Sequence, residues 1–118
     1  MEVEVDLFSG RPNPVFRATL EQAEIVRRTL EQLADAPAES CEVFDGLGYR
    51  GFRLSDPVQD CQFRVWREVV VGEEAGTAFS KADPQRRLEN ICLSIARDCL
   101  DADTYRFLQQ QAEEDRES

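Results

Sequence analysis

Acidic side chains accumulate without any Lys or Arg between Arg28 and Arg50. Carboxylates and backbone carbonyls are the oxygen ligands that calcium takes, and glycine lets a backbone approach an ion closely. The sequence therefore indicates either a calcium site or a solvated acidic loop. The acids are Glu31, Asp35, Glu39, Glu42 and Asp45, and a glycine-rich turn, Asp45-Gly46-Leu47-Gly48, ends the run.

The expected calcium ligands are spaced along this acidic segment. Glu39, Glu42 and Asp45 recur at intervals of three residues, so that a curled loop turns their carboxylates to one side. We expect these three residues, with help from Asp35, to bind a calcium ion. Magnesium demands stricter octahedral geometry, and transition metals favour His or Cys, of which the loop offers only Cys41. An affinity of about 10⁻⁶ to 10⁻⁴ M is expected, because the fixed ligand frame of an EF-hand is absent.

Two other patterns fail as binding motifs. The segment Gly46 to Gly51 has the three spaced glycines of a dinucleotide site, but a predicted strand follows it instead of the helix that would hold a pyrophosphate. Asp101 and Asp103 resemble the first ligands of an EF-hand loop. However, Arg106 and Ala112 stand where that loop requires glycine and glutamate. We interpret these aspartates as helix caps.

The sequence shows neither the residue pattern of a known catalytic site nor that of a zinc site. The chain has no histidine, which is the commonest general base, and no serine lies in a nucleophile-elbow pattern. We therefore expect no enzymatic activity. The cysteines lack the Cys-x-x-Cys spacing of a zinc site, and we interpret Cys92 and Cys99 as core thiols. Cys41 and Cys61 lie in or beside loops, and the spacing does not require them to form a disulfide.

The composition predicts one globular domain over residues 1–118, with 42% hydrophobic and 32% charged residues. A net charge of -10 argues against binding to nucleic acid or to an anionic membrane. The same charge favours a cation or a basic protein partner. The first residues show no signal-peptide pattern, so that we expect a cytoplasmic protein with reduced cysteines.

Hydrophobic periodicity predicts a small α+β domain of order β-α-β-β-α-α, in which helices pack on one face of an antiparallel hairpin. The first helix is expected to begin at Leu20, since Thr19 and Gln22 form a capping box. The second is expected to begin at Asp83-Pro84 and the third at Asp101. The predicted strands are Glu2 to Phe8, Tyr49 to Ser55 and Gln62 to Val71, and the first helix is predicted to extend to about Asp35.

The second helix has the clearest amphipathic pattern. Its charged residues lie mostly off the apolar stripe, and these residues are Arg86, Arg87, Glu89, Arg97 and Asp98. The third helix is predicted to run through Leu108 and then to fray as a charged tail from Glu113. The apolar stripe expected to pack on the sheet consists of Leu88, Ile91, Cys92, Ile95, Ala96 and Cys99.

Two segments of the chain are unusual in sequence, Val5-Asp6-Leu7-Phe8-Ser9-Gly10-Arg11-Pro12-Asn13-Pro14 and Phe44-Asp45-Gly46-Leu47-Gly48-Tyr49-Arg50-Gly51-Phe52. Together they cover under a fifth of the chain. They resemble segments of a family of small and mostly uncharacterised bacterial proteins, the cyanobacterial calcium-binding protein family. The resemblance implies a cytoplasmic, non-EF-hand protein that binds or buffers calcium in the control of cell differentiation. Of the expected ligands, only Asp45 lies within a shared segment.

The sequence is compatible with two functions of different classes. The first is a protein that buffers or senses calcium through the acidic loop. The second is an acidic interaction module, such as an inhibitor or an immunity-type protein, that covers a basic protein partner. Calcium should stabilise the first protein, and the second should associate with its partner in a salt-sensitive way.

Overall fold

One antiparallel sheet with three helices forms the part of the chain that the structure describes, residues 1–8, 12–37 and 48–117 of a computed structural model. The predicted α+β class is confirmed. The strands are β1 (Glu2–Phe8), β2 (Val15–Arg17), β3 (Gly48–Asp56), β4 (Cys61–Trp66), β5 (Val69–Glu74) and β6 (Thr77–Ala82). The helices are α1 (Leu20–Gln32), α2 (Arg87–Cys99) and α3 (Ala102–Glu117), and a 3₁₀ turn (Pro84–Arg86) precedes α2.

The strands lie in the order β2-β1-β3-β4-β5-β6. The strand predicted from Glu2 to Phe8 is confirmed as β1. Its residues Val3 and Val5 are fully buried and pack with the helices in one core. The other side of the same sheet carries charged residues in register, with Glu4 opposite Arg53 and Arg53 opposite Arg64. The sheet therefore has an apolar side under the helices and a charged side.

The capping box at the start of α1 is confirmed. The backbone N–H of Gln22 donates to Thr19 Oγ1 at 3.1 Å, and the Thr19 N–H donates to Gln22 Oε1 at 2.9 Å. The helix ends at Gln32 instead of Asp35, because Asp35 forms a bridge to Lys81 in β6. No helix within the described ranges has both the length and the apolar character that crossing a membrane requires.

Part of the sheet differs from the predicted strands. The segment Gln62 to Val71 is not one strand, because the chain reverses at Arg67 and Glu68 between β4 and β5. These two residues have positive φ angles of 49° and 67°. Turns of that kind usually contain Gly or Asn, and neither residue type marks the reversal in the sequence. Strands β2 and β6 were also missed, and the order of elements is β-β-α-β-β-β-β-α-α.

The two C-terminal helices correct two expectations. Cys99 is exposed instead of buried, whereas Cys92 is buried as predicted, and Glu89 is fully buried although it is charged. The charged tail does not fray, since α3 continues to Glu117. Its last turns are held to the sheet because Asp115 accepts a hydrogen bond of 3.1 Å from the indole N–H of Trp66.

Candidate functional site

Only one of the four expected calcium ligands is among the described residues. Asp35 is exposed and lies at the start of the acidic segment, directly after α1. Glu39, Glu42 and Asp45 lie outside the described residues. Within the described ranges, no three His, Cys, Asp or Glu side chains are grouped as a metal site.

Backbone hydrogen bonds attach the start of the acidic segment to the edge of the sheet. The N–H of Ala36 donates to the carbonyl of Ser80 at 3.0 Å, and the N–H of Ala82 donates to the carbonyl of Ala34 at 2.9 Å. These bonds surround the bridge between Asp35 and Lys81. The sheet therefore fixes the backbone position from which the Asp35 carboxylate extends.

The cation that stands opposite Asp35 in the bridge is bound elsewhere. Lys81 Nζ donates to the carbonyl of Leu30 at 3.0 Å, at the C-terminal end of α1, where a positive charge interacts favourably with the helix dipole. Among the described residues, the Asp35 carboxylate makes neither a hydrogen bond nor an ion pair. This carboxylate is therefore available to a ligand.

The far end of the acidic segment returns to the centre of the sheet. Strand β3 begins at Gly48, which lies opposite Phe8, and Tyr49 lies opposite Leu7. The two segments that carry the family resemblance are thus neighbours in the fold. This proximity was not predicted, because residues 15–43 separate the two segments along the chain.

A buried carboxylate close to this junction gathers three arginines. Asp6 is 1% exposed and accepts hydrogen bonds from Arg50 Nη2 at 3.0 Å and from Arg64 Nη2 at 2.7 Å. Arg53 lies 3.9 Å from the same carboxylate. A buried charge of this kind needs paired donors. This cluster was not predicted from the sequence, since each arginine is distant from Asp6 along the chain.

A second ion pair joins α1 to the end of β3. Arg27 donates two hydrogen bonds to Asp56, from Nε at 2.7 Å and from Nη2 at 3.0 Å. This parallel geometry is the strong form of an arginine–carboxylate contact. The hydrogen bonding lowers the pKa of Asp56 and raises that of Arg27. Asp56 is therefore ionised near neutral pH and holds α1 on the sheet.

Glu89 lies in a different kind of environment. Its carboxylate accepts hydrogen bonds from the Tyr49 hydroxyl at 2.7 Å and from the Arg67 backbone N–H at 3.1 Å. Burial raises the pKa of Glu89, and burial together with Glu89 raises the pKa of Tyr49 well above its usual value. Because Glu89 is fully enclosed, this group supports the fold and does not reach a substrate.

Asp83, which lies before the turn that precedes α2, caps the start of that helix. Both oxygens of Asp83 accept backbone hydrogen bonds, from Leu88 at 2.7 Å and from Glu89 at 3.1 Å. The helix expected to begin at Asp83-Pro84 begins instead at Arg87, and Asp83 caps it across the turn Pro84–Arg86. Burial raises the pKa of Asp83. Asp35 differs from these buried acids, because it is exposed and its carboxylate has no partner within the described ranges.

Comparisons with known proteins identify no family for this chain. No family model matches it, and neither a search of curated proteins nor a search of solved structures found a similar protein. Function must therefore be inferred from the chain's own residues and geometry.

Proposed function

We propose that this chain is a non-EF-hand calcium-binding protein of the bacterial cytoplasm, which buffers or senses calcium. The proposed ligands are the carboxylates of Asp35, Glu39, Glu42 and Asp45. The observation that carries the proposal is the position of Asp35. The sheet holds its backbone, and its exposed carboxylate has no hydrogen-bond or ion-pair partner in the described part of the chain.

The distribution of positive charge supports the same proposal. Arg27 and Arg64 are each bound to a buried carboxylate, and Lys81 is bound to a helix carbonyl. Moving any of these cations to the acidic segment would leave a buried oxygen without its donor, which is costly. A divalent ion from solution would neutralise the segment without that cost.

A calorimetric calcium titration of the reduced protein tests the proposal. We expect a dissociation constant of about 10⁻⁶ to 10⁻⁴ M and little heat with magnesium. At a calcium concentration about a hundred times that constant, the free energy of unfolding should increase by about 2.7 kcal/mol. The double variant Glu42→Gln, Asp45→Asn should abolish both effects.

A matched variant controls for the loss of overall negative charge. Asp98→Asn with Glu113→Gln removes the same two charges from exposed positions on α2 and α3, and should bind calcium normally. Asp35→Asn should weaken binding by about tenfold, since it removes one ligand. Equal loss in the control, or no calcium response in the unmodified chain, would refute a local site.

A second candidate function is an acidic module that binds a basic protein. The specific observation is an acidic tip at the end of the sheet, where Asp60, Glu73 and Glu74 are all exposed. The N–H of Ala75 donates to the Asp60 carbonyl at 2.9 Å, which joins the two turns that carry these acids. A cationic partner would be attracted to this tip.

Binding of a lysine-rich peptide at several salt concentrations distinguishes this second function. The acidic module should bind the peptide more weakly as salt increases. Asp60→Asn with Glu73→Gln and Glu74→Gln should reduce the affinity further, whereas calcium should have no effect. Peptide binding that is unaffected by salt or by these substitutions would exclude the tip as the interface.

A further inference from the structure

A cleft of about 210 Å³ lies between α1 and the strands β3 to β6, on the side of the sheet that carries the helices. An apolar cavity of about 150 Å³ accommodates benzene. The cleft therefore has room for one aromatic ring with a short substituent. Its apolar lining consists of Met1, Val26, Leu30, Cys61, Phe63 and Phe79.

The two cations in the cleft wall are already bound within the protein. Arg27 forms the paired hydrogen bonds to Asp56, and Lys81 Nζ donates to the carbonyl of Leu30. Removing either cation from its oxygen would leave a polar group without its donor. An anionic ligand would therefore have to compete with an existing contact for either of these charges.

Two carboxylates in the same wall have no such contact. Glu31 on α1 and Glu74 at the end of β5 line the cleft and are exposed. In the part of the chain that the structure describes, neither carboxylate makes a hydrogen bond or an ion pair. They add negative charge to the lining of a mostly apolar cleft, and the net charge of -10 on the whole chain acts in the same direction.

We propose that this cleft binds a small primary amine that carries one aromatic ring. The ring lies against Phe63 and Phe79, and the ammonium group is bound by Glu31 or Glu74. A mostly apolar pocket with a few polar groups binds a ligand that is mostly apolar and has one charged end. A carboxylate of the same size is disfavoured, because it would meet the same two acids.

The pKa of the Cys61 thiol depends on the charges around the cleft. Cys61 is 5% exposed and forms part of the lining. Burial raises the pKa of this thiol, and the nearby charges of Glu74, Asp56 and Asp60 raise it further. Burial disfavours charge of either sign, so that the discrimination comes from the three nearby carboxylates. Together they outweigh the opposing effect of Lys81 and favour a cationic over an anionic ligand.

Titration with phenethylamine and with 3-phenylpropionate tests the charge preference directly. Chelator is present, so that a calcium site does not affect the result. We expect phenethylamine to bind at least about tenfold more tightly than the acid. Glu31→Gln with Glu74→Gln should remove most of that preference. The matched control is Glu21→Gln with Glu113→Gln, which removes two exposed acids outside the cleft and should keep the preference.

Chemical modification of Cys61 locates the ligand in the cleft. In a variant with Cys41→Ser and Cys99→Ser, a cationic methanethiosulfonate should modify Cys61 faster than an anionic one. Phenethylamine should slow the reaction, and Glu74→Gln should bring the two rates together. Equal rates for the two reagents, or equal protection by amine and acid, would overturn the proposal. Either result is independent of whether the acidic segment binds calcium.

Discussion

Two carboxylates in this protein are buried almost equally but are stabilised by different groups. Asp56, which is 2% exposed, is bound by the guanidinium of Arg27 through two hydrogen bonds. Glu89, which is 0% exposed, is bound by a tyrosine hydroxyl and a backbone N–H, and its closest described cation, Arg86, lies 3.8 Å away. Burial alone therefore does not determine how a carboxylate behaves, since the charge of its donors also counts.

The two sites respond to pH in opposite directions. The pKa of Asp56 is lowered by its contact with Arg27, so that its stabilising contribution is present above the unfolded pKa and is lost as the pH falls through the folded pKa. The pKa of Glu89 is raised by burial. Its contribution is greatest below the unfolded pKa and is lost as the pH rises through the folded pKa.

The largest expected effect comes from removing the cation at the first site. Arg27→Ala leaves Asp56 buried without its counter-charge and should lower the free energy of unfolding by about 3 kcal/mol at neutral pH. The deficit should shrink at about pH 3, where protonation of Asp56 removes the unpaired charge. Denaturant unfolding of the variant and the unmodified chain, at neutral pH and at about pH 3, measures the loss of stability under each condition.

Its neighbour on α1 provides the control for that experiment. Arg28 is mostly exposed and pairs with Glu24 on the same helix. Arg28→Ala should therefore cost about 0.5 kcal/mol or less, with little dependence on pH. If the two variants lose similar stability, the Arg27–Asp56 contact does not hold α1 on the sheet in the way the geometry indicates.

A smaller effect is expected when a neutral donor is removed at the second site. Tyr49→Phe deletes the hydroxyl that donates to Glu89 at 2.7 Å, and should cost about 1 to 2 kcal/mol. It should also raise the pKa of Glu89 further, because one donor to the charged form is lost. Thermal unfolding gives the first quantity, and carboxyl NMR titration gives the second. Tyr105→Phe, at a partly buried position on α3, controls for loss of a tyrosine hydroxyl elsewhere in the protein.

Local elements were predictable from the sequence, whereas contacts between distant residues were not. The strand β1 and the capping box at Thr19 depend on neighbouring residues, whereas α2 begins three residues beyond the predicted start, after the turn Pro84–Arg86. The arginines around Asp6 and the tyrosine at Glu89 lie 40 or more residues from their partners. A charged residue that lies off an apolar stripe is expected at the surface. Glu89 is buried instead because the fold places the Tyr49 hydroxyl beside it.

The candidate site shows the same division. The acidic run is visible in the sequence, and Asp35 belongs to it by position alone. Its attachment to β6 was not predictable, because β6 is an edge strand whose residues are exposed or half-buried and no strand was predicted there. The cleft beside α1 depends on β6 as well, since Phe79 and Lys81 line it. Missing one edge strand therefore concealed two features.

The smallest effect is a pH-dependent one that separates charge from shape at the second site. Glu89→Gln keeps the size of the side chain and removes its ionisation. At acid pH Glu89 is protonated and resembles glutamine, so that neither protein buries a charge there. The free energy of unfolding of the unmodified chain, relative to that of the variant, should therefore be highest at acid pH. As the pH rises through the folded pKa, which burial raises, the unmodified chain must keep a buried charge, and the difference should move toward the variant.

Denaturant unfolding of both proteins at several pH values measures that difference. The matching experiment at the first site, Asp56→Asn, should change in the opposite direction, because the pKa of Asp56 is lowered. For that pair, the advantage of the carboxylate should grow as the pH rises from acid to neutral. The two differences in the free energy of unfolding could instead change in the same direction with pH. A guanidinium and a hydroxyl would then have the same effect on the carboxylates they bind, and burial would outweigh the charge of the donors.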